Sequence, residues 1–214
     1  MLKQLAFLEG AENRESFFRR VHTFARPYQR DALLIAKAYQ EAKDTFRGTH
    51  RQQGERYFEH CRAAALILMD ILGMTDAEAI AAALLHDIIE DCRRTWWRSR
   101  VEHEFGPVVA FLVDAVTMPE GDFPDRDSRI AAFHEQILAA TAIDVRVIKI
   151  KLADRLHNLV TCDALSREKQ LRMVEETEKL YIPYAKQYDI LFKELSQVLR
   201  IRRKAFRLMG VARS

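Results

Sequence analysis

Ala79-Ile80-Ala81-Ala82-Ala83-Leu84-Leu85-His86-Asp87-Ile88-Ile89-Glu90-Asp91 is the stretch on which the reading of this chain turns. Its first seven residues are apolar without interruption, and at their end stands an adjacent His-Asp pair. The run reads as a helix that continues to about Glu90. Glu90 follows His86 by four residues and Asp91 follows Asp87 by four, so each pair shares a helix face. Four polar, mostly charged groups packed against an apolar run are costly to bury without compensation. A divalent cation is the natural compensation, because an imidazole nitrogen and a carboxylate oxygen are both ligands for it.

Outward from this stretch the chain reads as helix almost throughout. Upstream, Ser16 to Phe24 forms a short helix that ends before Pro27, and Asp31 to Phe46 carries apolar residues at helical spacing and stops at Gly48. Gly48 to Tyr57 is polar and reads as a loop, and Tyr57 to Leu72 is a strong helix ended by Gly73. Thr75 with Glu78 three residues on has the pattern of a capping box for the apolar helix. Downstream, Trp96 to Phe105 and Pro107 to Val116 are split at Gly106, and Met118 to Ser128 holds Pro119, Gly121 and Pro124 and reads as a loop. Ser128 to Thr141, Asp144 to Cys162, Ser166 to Tyr181 and Pro183 to Leu199 are helical in pattern, and the basic run Arg200 to Arg207 follows. No segment alternates β-branched residues with period two, so the expected fold is all-α, a single helical domain of about ten helices.

Composition bounds the function classes. The chain has 214 residues, 49% of them apolar and 30% charged, which suits one soluble globular domain with at most a small appendage. The expected organisation is an N-terminal helical extension over 1–30, a catalytic domain over 31–199 and a basic tail over 200–214. A net charge of only +3 does not point to a nucleic-acid partner. No uncharged run exceeds about nine residues, well short of the ~20 that a membrane helix needs. Cys61, Cys92 and Cys162 are odd in number and form no CxxC pair, which fits reduced thiols in the cytoplasm. The first fifteen residues place acids directly after a short apolar patch and make a poor signal peptide.

Two further residues extend the His-Asp pair into a ligand set: His60, near the start of the long helix before it, and Asp154, within Lys151-Leu152-Ala153-Asp154-Arg155-Leu156-His157-Asn158. The pattern His60…His86-Asp87…Asp154 resembles the HD superfamily of metal-dependent phosphohydrolases. A closer likeness is to the RelA/SpoT family. Gly48-x-x-Arg51-x-x-Gly54-Glu55-x-Tyr57-x-x-His60 resembles the loop before that family's first ligand. Ala81 to Asp91 is similar to its hydrolase motif, and Ile150 to Asn158 nearly matches its third motif. Asp163-Ala164-Leu165 and Tyr181-x-Pro183 continue the likeness, which covers roughly residues 33–190.

The resemblance implies an HD-type helical domain that binds one Mn²⁺, other divalent ions being able to substitute, through His60, His86, Asp87 and Asp154. It implies removal of the 3′-pyrophosphate of (p)ppGpp, giving GDP or GTP and pyrophosphate. Glu90 and Asp91 would then receive a proton from the attacking water or orient it, and Arg51, Asn158, Thr161 and Tyr181 would contact substrate. The chain ends about where the synthetase of the longer members would begin, which resembles the stand-alone small alarmone hydrolases. Two departures touch the substrate side: Gln52 where the family commonly has Lys, and Val160 where it often has Arg. They keep open a phosphohydrolase of another nucleotide, an adenosine alarmone or NADPH. A different class is a non-catalytic partner of an alarmone synthetase, and a homo-oligomer is compatible with either. Arg155 and His157 read as structural, pointing away from Asp154, and Trp96 and Trp97 as packing residues. His22, His50, His103 and His134 read as solvated or core residues.

Overall fold

A computed structural model of the chain describes residues 12–52 and 54–211. Residues 1–11 and 212–214, the outer ends of the expected extension and tail, lie outside the described residues, as does Gln53. The fold is all-helical as expected, and among the described residues the extended pairing is one isolated bridge, His50 with Arg56. In order the helices are α1 (Arg14–Val21), α2 (Arg30–Thr45), α3 (Tyr57–Asp70), α4 (Ala77–Leu85), α5 (Ile88–Asp91), α6 (Arg98–Phe105), α7 (Pro107–Val116), α8 (Arg126–Ile143), α9 (Arg146–Val160), α10 (Arg167–Glu176), α11 (Ile182–Tyr188) and α12 (Phe192–Val211).

The apolar stretch that opens the sequence argument becomes the central helix. Every residue of α4 except Glu78 is buried, and it packs on α2, α3, α7 and α9. A helix that is apolar all round has no face to give to water, so it is surrounded. Helix α3 is nearly as enclosed, with Phe58 and His60 to Met69 buried. Helix α2 presents one stripe to α4: Ala32, Ile35, Ala38, Tyr39 and Ala42 are buried at helical spacing. Three of these five are alanines, which lets the two backbones approach. Phe17 and Val21 of α1 belong to the same core, against Tyr39, whose ring centroid is 5.0 Å from that of Phe17.

Several boundaries differ from the sequence expectation, each for a local reason. The cap of α4 is Asp76 rather than Thr75: its carboxylate accepts from Ala79 N at 2.7 Å and from Arg146 Nη1 at 3.0 Å. Glu78 turns to Arg146 at 3.3 Å instead of closing a capping box. Helix α4 stops at Leu85 and restarts as α5, so the His-Asp pair sits in a break and not within one helix. Gly106, at φ 90°, separates α6 from α7 as expected, with Pro107 in the first turn of the latter, where its missing N–H costs nothing. Helix α8 begins at Arg126 because Asp125 caps it, accepting from Ser128 N at 2.7 Å. Pro183 does not end its helix: Thr177–Tyr181 widens into a π-helical turn just before it and the chain continues as α11. The expected Pro183–Leu199 helix breaks instead at Asp189 and Leu191, both at φ 53°. The basic run 200–207 is no separate tail but the continuation of α12.

Candidate active site

Four side chains from three helices and one break meet at the end of the central helix. His60 comes from the first turn of α3, His86 from the C-terminal cap of α4, Asp87 from the break before α5 and Asp154 from the middle of α9. His60, His86 and Asp154 are all under 5% exposed, so their placement is set by the core. His60 Nε2 lies 3.2 Å from His86 Nε2, 3.4 Å from Asp87 Oδ2 and 3.2 Å from Asp154 Oδ1. His86 Nε2 lies 3.2 Å from Asp87 Oδ2 and 3.6 Å from Asp154 Oδ1. Ligands ~2.1 Å from one ion sit roughly 3.0–3.4 Å from each other, so the distances from His60 and His86 to each other and to both carboxylates are of the order of a coordination shell. His60, His86 and Asp154 stand out on geometry as a group able to hold a metal ion. The chemistry of the set, two nitrogens and two carboxylate oxygens, fits a divalent cation of borderline hardness.

The electrostatics agree. Burial works against charge on His86, Asp87 and Asp154. Even so, Asp87 and Asp154 hold His86 up to about 10. His86 and His60 hold the Asp87 carboxyl well below the carboxylate range, and Lys151 with the same two histidines does so for Asp154. The cluster thus attracts positive charge strongly, and a cation entering it competes with the proton on His86.

Around these four lies a ring of partners. His86 Nδ1 is 2.9 Å from the Ala83 carbonyl, which aims Nε2 inward. His60 Nδ1 is 2.8 Å from His157 Nδ1. Burial, with His60 and Arg51 nearby, pushes His157 well below the usual histidine value, so it is neutral and fit to exchange a hydrogen bond with His60. His157 therefore does not point away from the site as its sequence position suggests. Lys151 Nζ donates to Asp154 Oδ2 at 2.8 Å and leaves Oδ1 for the shared point. The Tyr57 hydroxyl reaches Asp87 Oδ2 at 2.8 Å and also Asp91 Oδ2. Lys151, Tyr57 and His157 received no site role from the sequence. Their signal was present, since all three lie inside the quoted motifs.

Glu90 and Asp91 stand beside the four. Glu90 Oε2 accepts from Met118 N at 2.9 Å, and burial raises its pKa. Burial also raises Asp91, with Tyr57 opposing through its hydrogen bond. On the other flank, Arg51 donates to Asn158 Oδ1 and, at 3.3 Å, to Thr161 Oγ1. Asn158 in turn donates to Asp154 Oδ1. Arg51, Asn158 and Thr161 are thus one polar face adjoining the ligand cluster. Gln52 lies next to it, and Lys169 of α10 donates to its Oε1 at 3.3 Å, so a cation stands near the position where the family's lysine is missing.

Tyr181 is elsewhere. It is buried in the π-helical turn, 5.0 Å from the His134 ring and 4.0 Å under the Arg155 guanidinium. It faces a different cavity, and the expectation that it joins the substrate contacts gains no support from this placement. Arg155 does point away from Asp154, toward Glu176 at 3.6 Å. Trp96 is a packing residue, 2% exposed, whereas Trp97 is half exposed. Among the described residues no helix is long and apolar enough to cross a membrane.

Comparison with known proteins places this geometry. The chain is 39% identical over 153 residues to a protein of Brucella melitensis named GTP pyrophosphokinase rsh, covering 71% of this chain and 20% of that protein. It is 39% identical over 157 residues to the guanosine-3′,5′-bis(diphosphate) 3′-pyrophosphohydrolase of Vibrio cholerae, covering 73% of this chain and 22% of that one. The chain therefore spans about a fifth of the length of these curated relatives. A solved structure described as a metazoan ortholog of SpoT that hydrolyzes ppGpp superposes with a TM-score of 0.67 at 25% identity, over 83% of this chain and 98% of that one. Residues 38–191 match the HD domain family, which takes in all four converging side chains and both neighbouring acids, and the chain belongs to that family.

Proposed function

We propose that this chain is a metal-dependent (p)ppGpp 3′-pyrophosphohydrolase, with His60, His86, Asp87 and Asp154 holding one divalent ion, Mn²⁺ in the native protein, and that it works in the cytoplasm. The observation that carries the reading is that the His60 and His86 Nε2 atoms each lie 3.2–3.6 Å from an Asp87 and an Asp154 carboxylate oxygen, beside the Arg51–Asn158–Thr161 face. The names of the relatives and of the structural neighbour support the same substrate.

When bound, the ion supplies Lewis acidity to a phosphoryl oxygen and lowers the pKa of water beside it. The protein's own residues do the rest. Glu90 and Asp91 take the proton of the attacking water, and burial, by raising both carboxyl groups, makes them stronger bases than exposed acids. Tyr57 holds Asp91 and Asp87 in a fixed relation through one hydroxyl. The Arg51 guanidinium, already oriented by Asn158 and Thr161, offers a planar set of donors to a phosphate. Lys151 balances Asp154, and His157 and the Ala83 carbonyl fix the two imidazoles. The catalytic unit on this reading spans residues 31–199.

The test is hydrolysis of ppGpp by the purified chain with Mn²⁺, products being separated by anion exchange. Wild type should release GDP and pyrophosphate, and Asp87→Ala and Glu90→Gln should each lose about a thousandfold or more of kcat. Turnover indifferent to both substitutions would sink the mechanism. Cleavage of NADPH or an adenosine alarmone in place of ppGpp would reassign the substrate, which the glutamine at position 52 makes worth measuring.

A further inference from the structure

The cavity that Tyr181 faces is separate from the four-residue cluster. It measures about 220 Å³ and is walled by Arg126, Arg129, His134, Arg155, Glu176 and Tyr181. At ~30 Å³ per water it has room for roughly seven, yet it is smaller than the ~300–1,000 Å³ of sites that enclose a drug-sized ligand. Its occupant is therefore a small group. Three guanidinium groups face one carboxylate. Glu176 is shared between Arg126 at 2.7 Å and Arg155 at 3.6 Å. Arg129 uses its Nε on the Pro119 carbonyl at 3.0 Å and forms no ion pair among the described residues. Two positive charges are left in excess.

Two polar atoms in these walls are buried without a hydrogen-bond partner: His134 Nδ1 and Arg155 Nε. The His134 residue is only 6% exposed, so water does not readily serve it from outside. Orphaned buried polar atoms cost stability, and two of them at one cavity indicate a missing partner rather than a packing accident. We propose that this cavity binds a phosphate group, which Arg126, Arg129 and Arg155 neutralise and which supplies a partner to Arg155 Nε and to a proton on His134 Nδ1. Phosphate suits the site because guanidinium groups meet its oxygens in pairs and its charge matches the excess. Burial, and after it the charges of Arg155 and Lys151, pushes His134 down to about 4, so the ring that meets the phosphate is neutral.

The cavity touches the catalytic face at two points. Met118 borders it and gives its N–H to Glu90. Phe133 borders it and lies 4.9 Å below the Lys151 ammonium that holds Asp154. The phosphate comes either from a free anion, such as the pyrophosphate product, or from the distal end of a nucleotide seated at the metal cluster. Binding is measured without turnover, so the inference stands or falls apart from the proposed reaction.

The full-length, metal-loaded protein is titrated in a calorimeter with inorganic phosphate, inorganic pyrophosphate and ppGpp, the last on a Glu90→Gln background. Each titration is repeated with Arg126→Gln and with Arg126→Gln/Arg129→Gln. Arg126 is on the surface, so its single variant keeps the test open if the double variant folds poorly. The double variant should weaken one binding event about tenfold or more and the single variant about threefold, with the anion-free melting temperature of the single variant unchanged. Loss confined to the inorganic anions identifies a free anion as the ligand, and loss confined to ppGpp identifies the nucleotide's own phosphate. Isotherms for all three ligands that superimpose on wild type in both variants overturn the proposal.

Discussion

Replacing His134 with leucine should make the protein resist acid. The ring is buried against Tyr181 and Tyr184, at centroid distances of 5.0 and 5.7 Å. Burial, then the charges of Arg155 and Lys151, lowers its pKa from 6.5 to about 4. The folded state therefore refuses a proton that the unfolded chain accepts below pH 6.5. The stability tied to the neutral ring is fully present above that pH, is lost as pH falls from 6.5 to about 4, and changes no further below. At pH 5 the loss is about 2 kcal/mol, and the full loss is about 3 kcal/mol, at 1.36 kcal/mol per pKa unit. Leucine takes up no proton. It also removes the orphaned Nδ1, so at pH 7.5 the variant should lie within about 1 kcal/mol of wild type or above it. The assay is urea unfolding at a series of pH values between 7.5 and 4.5 in buffers free of phosphate. Every other titrating group is common to both proteins, so the difference between the two curves isolates His134. That difference should open by about 2 kcal/mol between pH 7.5 and pH 5. Curves that fall in parallel refute the claim that a buried neutral histidine is being protonated on unfolding.

Three further outcomes are expected. Chelation should lower the melting temperature and Mn²⁺ should restore it, with a stabilisation of about 2.7 kcal/mol at a hundredfold excess over Kd; an Asp87→Ala chain should show no such response in the same melting experiment. Tyr57→Phe should keep the fold, because the ring stacks on Phe46 at 4.6 Å, while Asp91 loses a donor that favours its charged form. Its pKa then rises, so the acid limb of the kcat/KM profile should move up by about 0.5–1 pH unit, half a charged hydrogen bond falling to each carboxylate. An unmoved limb would mean that Asp91 is not the titrating base. Lys169→Ala should raise KM about two- to fivefold with kcat unchanged, the scale of one exposed charge, and Gln52→Lys in the same chain should recover it.

The ligand candidates were legible in the sequence through the resemblance that joins His60, His86-Asp87 and Asp154, not through any local pattern that brings these distant residues together, since His86 and Asp87 stand in a break between two helices. Ala79 to Leu85 announces a buried helix by composition alone, and so His86 at its end is held in place by the core. The Arg51–Asn158–Thr161 face was legible for a similar reason, since Asn158 is one turn beyond Asp154 on α9. Lys151 and Tyr57 were not read as site residues because a lysine within a helix and a tyrosine at the start of one are ordinarily solvated or packed. Only the fold shows that Asp154 and Asp87 lie within 2.8 Å of them. Tyr181 was read as a substrate contact from the resemblance alone, and nothing local in the sequence indicates the π-helical turn in which it is buried. Pro183 stands close by, but it reads equally well as a helix start. The cap at Asp76 was missed because the capping-box pattern at Thr75 and Glu78 is satisfied in sequence, while the competing partner of Glu78, Arg146, is distant in the chain.

The break between α4 and α5 explains how adjacent residues can serve one ion. On a continuous helix successive side chains point about 100° apart, so His86 and Asp87 would diverge. Here His86 keeps helical angles, φ −57° and ψ −31°, while Asp87 turns to φ −97° and ψ −1°. The turn brings Asp87 Oδ2 to 3.2 Å from His86 Nε2. The helix then restarts with Asp91 N bonded to Asp87 O at 2.9 Å, which returns Asp91 to the same Tyr57 hydroxyl that holds Asp87. The apolar run and the polar pair are therefore one device. Burial of α4 on every side fixes where the helix ends, and the end, not the helix, makes the site. Arg51 is positioned differently, from a loop bounded by Gly48 and Gly54 at positive φ, and is held by Asn158 of α9 and by Thr161 just past its end. The loop that carries Arg51 and the core that carries the ligand candidates thus meet on α9, where Asn158 bonds both Arg51 and Asp154, so a change at Arg51 is felt at Asp154 through one side chain.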